Sequence, residues 1–380
     1  NDDCETESTS ESEDEIRPFP AKRPRRILST SSSDSFAGKA SQRAAYQNDA
    51  DIWTTDKRDP PQFEFRGNPG LKIPNDVKSP GDFFDLFLTE SVLNKIVQET
   101  NRYADQQRAK FPVLRFSRLR DWKDTSAEEL RVFFALLMHT GTISLPSVTH
   151  YWKTNKLYNF DFWKKRMSRN RFQLILRFLH FNNNEEQDND RLFKINPISQ
   201  HFNETMDRIY KPERKLCIDE AIVLWRGRLI FRQYMKNKRH RYGIKLYELC
   251  EPNGIVLRVK TYAGRNDDLS GRNHASNVVL ALMDGFLNSG YELYMDNYYN
   301  SVGLTKTLTR KSKKLVKKKL NQGDSEWLRS GSIMVNKWKD KRDVLTISNM
   351  HKGEMVQVQN KNGKISTKPD TVRDYTLGMA

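Results

Sequence analysis

Residues 216–225 read LCIDEAIVLW and residues 291–300 read YELYMDNYYN. Both are β-branched and aromatic runs of strand length. Each carries an aspartate after an apolar run: Asp219 follows LCI, and Asp296 follows YELYM. Between them lie two more strand-like runs, YGIKLYELCE and GIVLRVKTYAG, joined by EPNG from Glu251 to Gly254, a strong hairpin signal. ASNVVLALMDGFLNSG then places Val278, Val279, Leu282, Phe286 and Leu287 at helical spacing, with Gly290 as a stop. A short helix is expected from Ser301 to Thr309. Antiparallel strands, a helix, another strand and a short helix make an α/β sheet.

An aspartate that ends a hydrophobic strand leaves the core for the sheet's edge. Two of them on neighbouring strands can hold a divalent metal, and Mg²⁺ takes hard oxygen ligands while keeping water and substrate phosphate in its shell. In a two-metal site one ion activates the attacking water or 3′-hydroxyl and the other steadies the departing oxygen. Turn capping is the main alternative that spacing leaves open, with Glu220 and Asn297 as ordinary polar neighbours.

Upstream the period changes from two to 3.6. SPGDFFDLFLTESVLNKIVQETNRYA repeats its apolar residues at three and four from Phe83 to Val97. In WKDTSAEELRVFFALLMHTG, Thr125 with Glu128 or Ser126 with Glu129 fits a capping box, Gly141 fits a C-cap, and Leu130, Phe133, Phe134, Leu137 and Met138 form the stripe. RNRFQLILRFLHF reads as a third helix with Phe172, Ile175, Leu176 and Leu179 inward, and a fourth runs near Ile198–Tyr210. Arg169, Arg171 and Arg177 lie off the third stripe, where they either reach phosphates or form an ordinary solvated face. Trp122, Trp152 and Trp163 read as core anchors, and His139 and His180 as core or boundary histidines.

Composition bounds the partner. Of 380 residues, 65 are Lys or Arg against 48 Asp or Glu, a net charge of +17, which favours a polyanion and nucleic acid above all. Lys306 to Lys319 carries eight Lys or Arg and no acid, and either binds DNA backbone or is a solvated loop. No run of 18 apolar residues is present, so no membrane partner is expected. Cys4, Cys217 and Cys250 are too few and scattered for a disulfide framework or a zinc site. Residues 1–15 hold eight acids and no base, and STSSSDS follows at Ser29 to Ser35, so the first fifty residues or so are expected to be disordered. Between these stretches KRPRR, with Lys22, Arg23, Arg25 and Arg26, is a cluster that a nuclear import receptor can grip, which points to the nucleus.

The wording around both acids goes further. CIDEAIVLWRGRLIFRQYMKNKRHRYGIKLYELCEPNG and YMDNYYNS resemble the piggyBac transposase family. So do FLTESVLNKIVQETNRYA, WKDTSAEELRVFFALLMHTG, LRFLHFNNN, RLFKINPI, VNKWKDKRDVLTISNMH and KPDTVRDY, and the likeness runs over residues 78–380. The resemblance implies an RNase-H-like mixed sheet within the α/β class, a helical dimerisation and DNA-binding region before it, and a homodimer acting on double-stranded DNA. It implies cut-and-paste chemistry: nicking of transposon ends, hairpin formation and joining at TTAA targets, with three aspartates and Mg²⁺ or Mn²⁺. On this likeness Asp219 is the first catalytic, metal-holding aspartate and Asp296 the second. Arg226, Arg228, Arg232, Lys236, Lys238, Arg239 and Arg241, with His240 among them, then become DNA-backbone contacts near the first acid, or else a solvated basic hairpin. Lys313, Lys314, Lys317, Lys318 and Lys319 are assigned to DNA in the same way. Trp225 is expected to pack rather than stack.

The expected organisation is a disordered acidic tail with its import cluster over 1–50, a lead-in over 51–77 and the helical region over 78–211. The first part of the catalytic core follows over 212–308, then a basic, shortened insertion region and linker over 309–380. Two departures from the family stand out. The third aspartate of the resemblance falls after VRDYTLGMA, beyond Ala380, and neither Asp370 nor Asp374 replaces it. TRKSKKLVKKKLNQG also stands where the family continues with a strand and turn. The sheet is therefore expected to be incomplete, and residues 1–380 alone are expected not to excise DNA. The alternative is a domesticated or decayed descendant that binds nuclear DNA without catalysis; a dimerising scaffold that binds chromatin or RNA is a third reading.

Overall fold

The structure, a computed structural model, describes residues 53–56, 59–60, 62–110, 117–156, 158–236, 241–264, 274–296, 298–299, 319–330, 333–359, 363 and 365–379. The acidic tail, the import cluster, the helix expected after Ser301, and Lys238, Arg239, Lys313, Lys314, Lys317 and Lys318 lie outside the described residues.

The helical region contains α1 (Pro80–Phe87), α2 (Glu90–Lys110), α3 (Ala127–Thr142), α4 (Asp161–Arg166), α5 (Arg169–Phe178) and α6 (Asn196–Ile209). The single long pattern after Pro80 is two helices: the chain leaves the α region at Leu88, and Ser79 starts α1 with a capping box on Asp82. Ser126 caps α3 through the Glu129 amide, while the Thr125 hydroxyl donates to the Glu129 carboxylate. Gly141 is not the C-cap, because α3 runs to Thr142 and Ile143 caps it. Met138 and Leu176 were expected inside and are exposed; Leu136 and Leu174 take the inward places. The core of this region closes around Trp163, which is fully buried, stacks on Tyr151 at 4.3 Å and meets Trp152 edge-on at 5.1 Å.

The sheet that follows is mixed. β3 (Lys215–Leu224) pairs antiparallel with β5 (Tyr242–Cys250) and parallel with β7 (Glu292–Met295). On its other side β5 pairs with β4 (Gln233–Tyr234) at one end and β6 (Val256–Thr261) at the other. β5 and β6 form the hairpin marked by EPNG, and α7 (His274–Leu282) crosses between β6 and β7. The order β6–β5–β3–β7, with one parallel neighbour reached through a helix, is that of an RNase-H-like sheet. Among the described residues β7 is the outer strand on its side. Leu216, Ile218, Leu249, Leu257, Val278, Val279 and Leu282 fill the core between the sheet, α6 and α7.

Residues beyond Lys319 are more ordered than a linker. β8 (Ser325–Ser330), β9 (Ile333–Lys339) and β10 (Asp343–Ser348) form an antiparallel sheet, β11 (Met355–Gln359) and β12 (Ile365–Pro369) a hairpin, and α8 (Asp370–Gly378) ends the described chain. The described residues between Trp53 and Lys72 run as a strap over this body. Thr54 exchanges two backbone hydrogen bonds with Arg329 on β8, Asp59 pairs with Lys352, and β1 (Gly70–Leu71) pairs with β2 (Tyr210–Lys211). The strap passes so close to Gly290 that a Cβ there would lie 2.1 Å from the Glu64 carbonyl oxygen.

Candidate active site

Strand alternation decides where the acids point. Leu216 and Ile218 face the helices, so Cys217 and Asp219 face the opposite side. Asp219 lies in the middle of β3 rather than at its end; it escapes the core by parity, not by termination. On β7, Leu293 and Met295 pack against the same core, which leaves Tyr294 and Asp296 for the other side. The parallel register pairs Cys217 with Tyr294 and Ile218 with Met295, and one step further brings Asp219 beside Asp296. Both aspartates are exposed.

The antiparallel register adds a residue that the sequence alone does not reveal. Glu248 on β5 stands directly opposite Asp219, so Glu248, Asp219 and Asp296 form a lateral row across three strands. Among the described residues no three His, Cys, Asp or Glu side chains converge tightly enough to cage a metal ion. Two neighbouring carboxylates are nevertheless the donor set Mg²⁺ accepts when water and phosphate complete its shell.

α8 lies over this face. Gly378 approaches Tyr294 so closely that a Cβ would sit 2.5 Å from its ring. Tyr375 is half-buried, and burial, then the negative charges of Asp296 and Asp219, push its phenol above the usual range. Tyr375 is therefore a neighbour of both acids. Asp370 accepts from the amides of Lys352 and Gly353, and Asp374 accepts from His351 Nε2 at 3.0 Å and Arg373 Nε at 2.6 Å. Both carboxylates thus hold α8 to the loop after β10.

The reverse face carries a buried polar cluster. Glu220 is not an ordinary polar neighbour: it is 9% exposed, and Lys245 Nζ donates to its Oε1 at 3.1 Å. The Lys245 ammonium also sits over the rings of Tyr247 at 4.5 Å and Tyr298 at 4.7 Å. Burial, then the Glu220 charge, raises the phenol of the fully buried Tyr299. Tyr298 and Tyr299 stand just after Asp296, so this cluster anchors the turn that carries the second acid.

Arg226, Arg228, Arg232, Lys236 and Arg241 are all exposed, at the far end of β3 and β5. They crowd Asp219 in sequence only. Seven residues of extended strand separate Arg226 from it by about 20 Å. Lys319 is exposed at the start of the segment leading to β8. Arg232 also braces its own loop, donating to the carbonyls of Arg226 and Gly227. Trp225 was expected to pack and is 44% exposed.

An RNase-H-like sheet with two acids at matched register on its parallel pair, preceded by a helical region, is an architecture that transposases share. The transposase IS4 family model matches residues 79–380. The chain belongs to that family, and within it to the piggyBac transposases. It is 25% identical to human PiggyBac transposable element-derived protein 2 over 394 aligned positions, covering 94% of this chain and 60% of that protein. Human PiggyBac transposable element-derived protein 5 is 25% identical over 214 positions, which cover 54% of this chain and 39% of that protein. The chain thus spans less than two thirds of either relative. A cryo-EM structure of a piggyBac transposase synaptic complex with hairpin DNA shares the fold, with a TM-score of 0.67 at 22% identity over 82% of this chain and 68% of that one. Among the described residues no helix is long and apolar enough to cross a membrane.

Proposed function

We propose that this chain is the DNA-binding and metal-holding part of a piggyBac-type transposase, acting as a homodimer on double-stranded DNA in the nucleus. The observation that carries the reading is the matched register of Asp219 and Asp296 on adjacent parallel strands. The two carboxylates would hold Mg²⁺ or Mn²⁺. When bound, such an ion lowers the pKa of an attacking water or hydroxyl and neutralises charge at the phosphate. The protein's own work is positional: β3 and β7 fix the carboxylates, the Lys245 cluster anchors the turn after Asp296, and α8 covers one side with Tyr375. Strand cleavage at transposon ends and joining at TTAA targets are the reactions the family membership suggests. The import cluster Lys22, Arg23, Arg25 and Arg26 would supply nuclear entry through its receptor.

Residues 1–380 bring two of the three acids that the family likeness calls for. On that footing this polypeptide alone is expected to bind metal and DNA without excising a transposon. A domesticated DNA-binding descendant is the alternative. Mn²⁺ binding to purified residues 1–380, followed calorimetrically, tests the site: Asp219→Ala and Asp296→Ala should each abolish the heat of binding while the circular dichroism stays unchanged. Retained affinity in either variant would overturn the shared site. Metal-dependent cleavage by the wild-type polypeptide, lost in Asp219→Ala, would instead overturn its inactivity.

A further inference from the structure

The basic arm beyond the acids carries more than charge. Backbone pairing continues past β3, where the Trp225 amide donates to the Tyr242 carbonyl at 3.4 Å, and Tyr242 in turn is the register partner of Tyr234 on β4. Residues paired across strands share a face, and alternate residues along a strand share it too. Counting by twos from Asp219 through Ala221 and Val223 reaches Trp225. Trp225, Tyr242 and Tyr234 are therefore a lateral row of three aromatic rings on the same face of the sheet as Asp219.

These rings are not core. They are 44%, 49% and 53% exposed, respectively. Tyr234 and Tyr242 lie 4.7 Å apart at 43°, and the Arg232 guanidinium sits 5.4 Å from the Tyr242 ring, so the two tyrosines are held in place before anything binds. Arg226, Arg228 and Arg241, all exposed, lie one to three residues from members of the row along the chain. Cations alone suffice for a duplex backbone, and a phosphate offers an aromatic face nothing to stack on. Paired bases keep their faces inside the duplex. A row of exposed rings rimmed by arginine matches the surface that unpaired nucleotides present: flat bases joined by phosphates.

We propose that Trp225, Tyr242 and Tyr234 form a stacking platform for unpaired DNA bases, set about 20 Å along the strand from Asp219, the length of six stacked base-pair steps. The proposal rests on the reading of this arm as a DNA contact and adds the state of the DNA it selects. A protein partner would need an acidic surface to meet the same rim, and it is an outcome that the test can reveal.

The test compares two probes in fluorescence anisotropy with residues 1–380: a duplex holding a central run of unpaired thymines, and the fully paired duplex of equal length. Wild type should prefer the unpaired probe about tenfold, the size of a stacking contribution. Trp225→Leu and Tyr234→Leu should remove that preference and leave affinity for the paired duplex as it was. Trp225→Phe, which keeps a ring, should retain most of it, and this separates stacking from a folding defect. Arg226→Ala with Arg228→Ala should weaken both probes. Equal wild-type binding to the two probes, or a preference that survives Trp225→Leu, overturns the platform and leaves DNA binding by the arm intact. Binding to neither probe overturns both, and the row then belongs to a protein interface.

Discussion

The helical core buries Trp163, Phe133, Phe172, Phe178, Leu93 and Leu130 completely, and its buried Glu99 pairs with Arg102 one turn away on the same helix. The core under the sheet is built from Leu216, Ile218 and Leu249, but it also takes in Tyr247 and Tyr299 beside the Glu220–Lys245 pair. Each large apolar side chain contributes about 1.5–3 kcal/mol on burial. A buried ion pair contributes far less, because desolvation offsets much of its attraction. The helical region therefore spends its interior on stability. The sheet gives up part of its interior to hold one turn, Tyr298–Tyr299, in a defined place behind Asp296.

This contrast can be broken experimentally. The largest effect should come from Trp163→Ala, which removes the ring against which Tyr151, Trp152 and Phe172 pack. A loss of about 3–5 kcal/mol is expected in guanidinium unfolding. A loss under about 1 kcal/mol would mean that the helical core is not held by that cluster.

Lys245→Met should cost about 3 kcal/mol, because it strands the Glu220 carboxylate in a buried place. Adding Glu220→Gln should restore most of the stability in urea unfolding but not the Mn²⁺ affinity, since the anchor of the Asp296 turn is gone. Full recovery of metal binding in the double variant would show that the pair serves the fold alone.

The smallest effect is a pH dependence in the helical region. His180 stacks on Tyr103 with ring centres 3.7 Å apart, and burial holds its imidazole below the usual pKa. A depressed imidazole favours folding above its ordinary pKa of about 6.5, and the contribution is lost as pH falls through the lower folded value. The melting temperature should therefore drop more steeply below about pH 6.5 in wild type than in His180→Asn. Equal slopes would remove His180 as the cause.

Much of the architecture was legible because it follows from local chemistry. The strand runs, the EPNG hairpin, the Trp anchors and the Ser126 cap need only neighbours in sequence. What escaped depends on pairing. The row of Glu248 with Asp219 follows from the β3–β5 register, in which Cys217 meets Cys250, and no single strand encodes that number. The buried role of Glu220 depends on Lys245 arriving from another strand. The sheet β8–β10 was hidden by its charges: Lys337 is 3% exposed, yet it pairs with Asp343 on the neighbouring strand, so a charge that argues against a buried strand is offset within the sheet. The break between α1 and α2 was hidden because Phe87 and Leu88 continue the apolar rhythm across it.

The strap has a kinetic consequence. Thr54 leaves the ribosome long before Arg329, its pairing partner, has been synthesised. Contacts of such sequence separation form late and slow folding, because the loop between them must be closed first. The Thr54 end of the nascent strap must wait while the helices and central sheet assemble. Until β8 appears, the Thr54 amide and carbonyl remain open to water, chaperones or a second nascent chain.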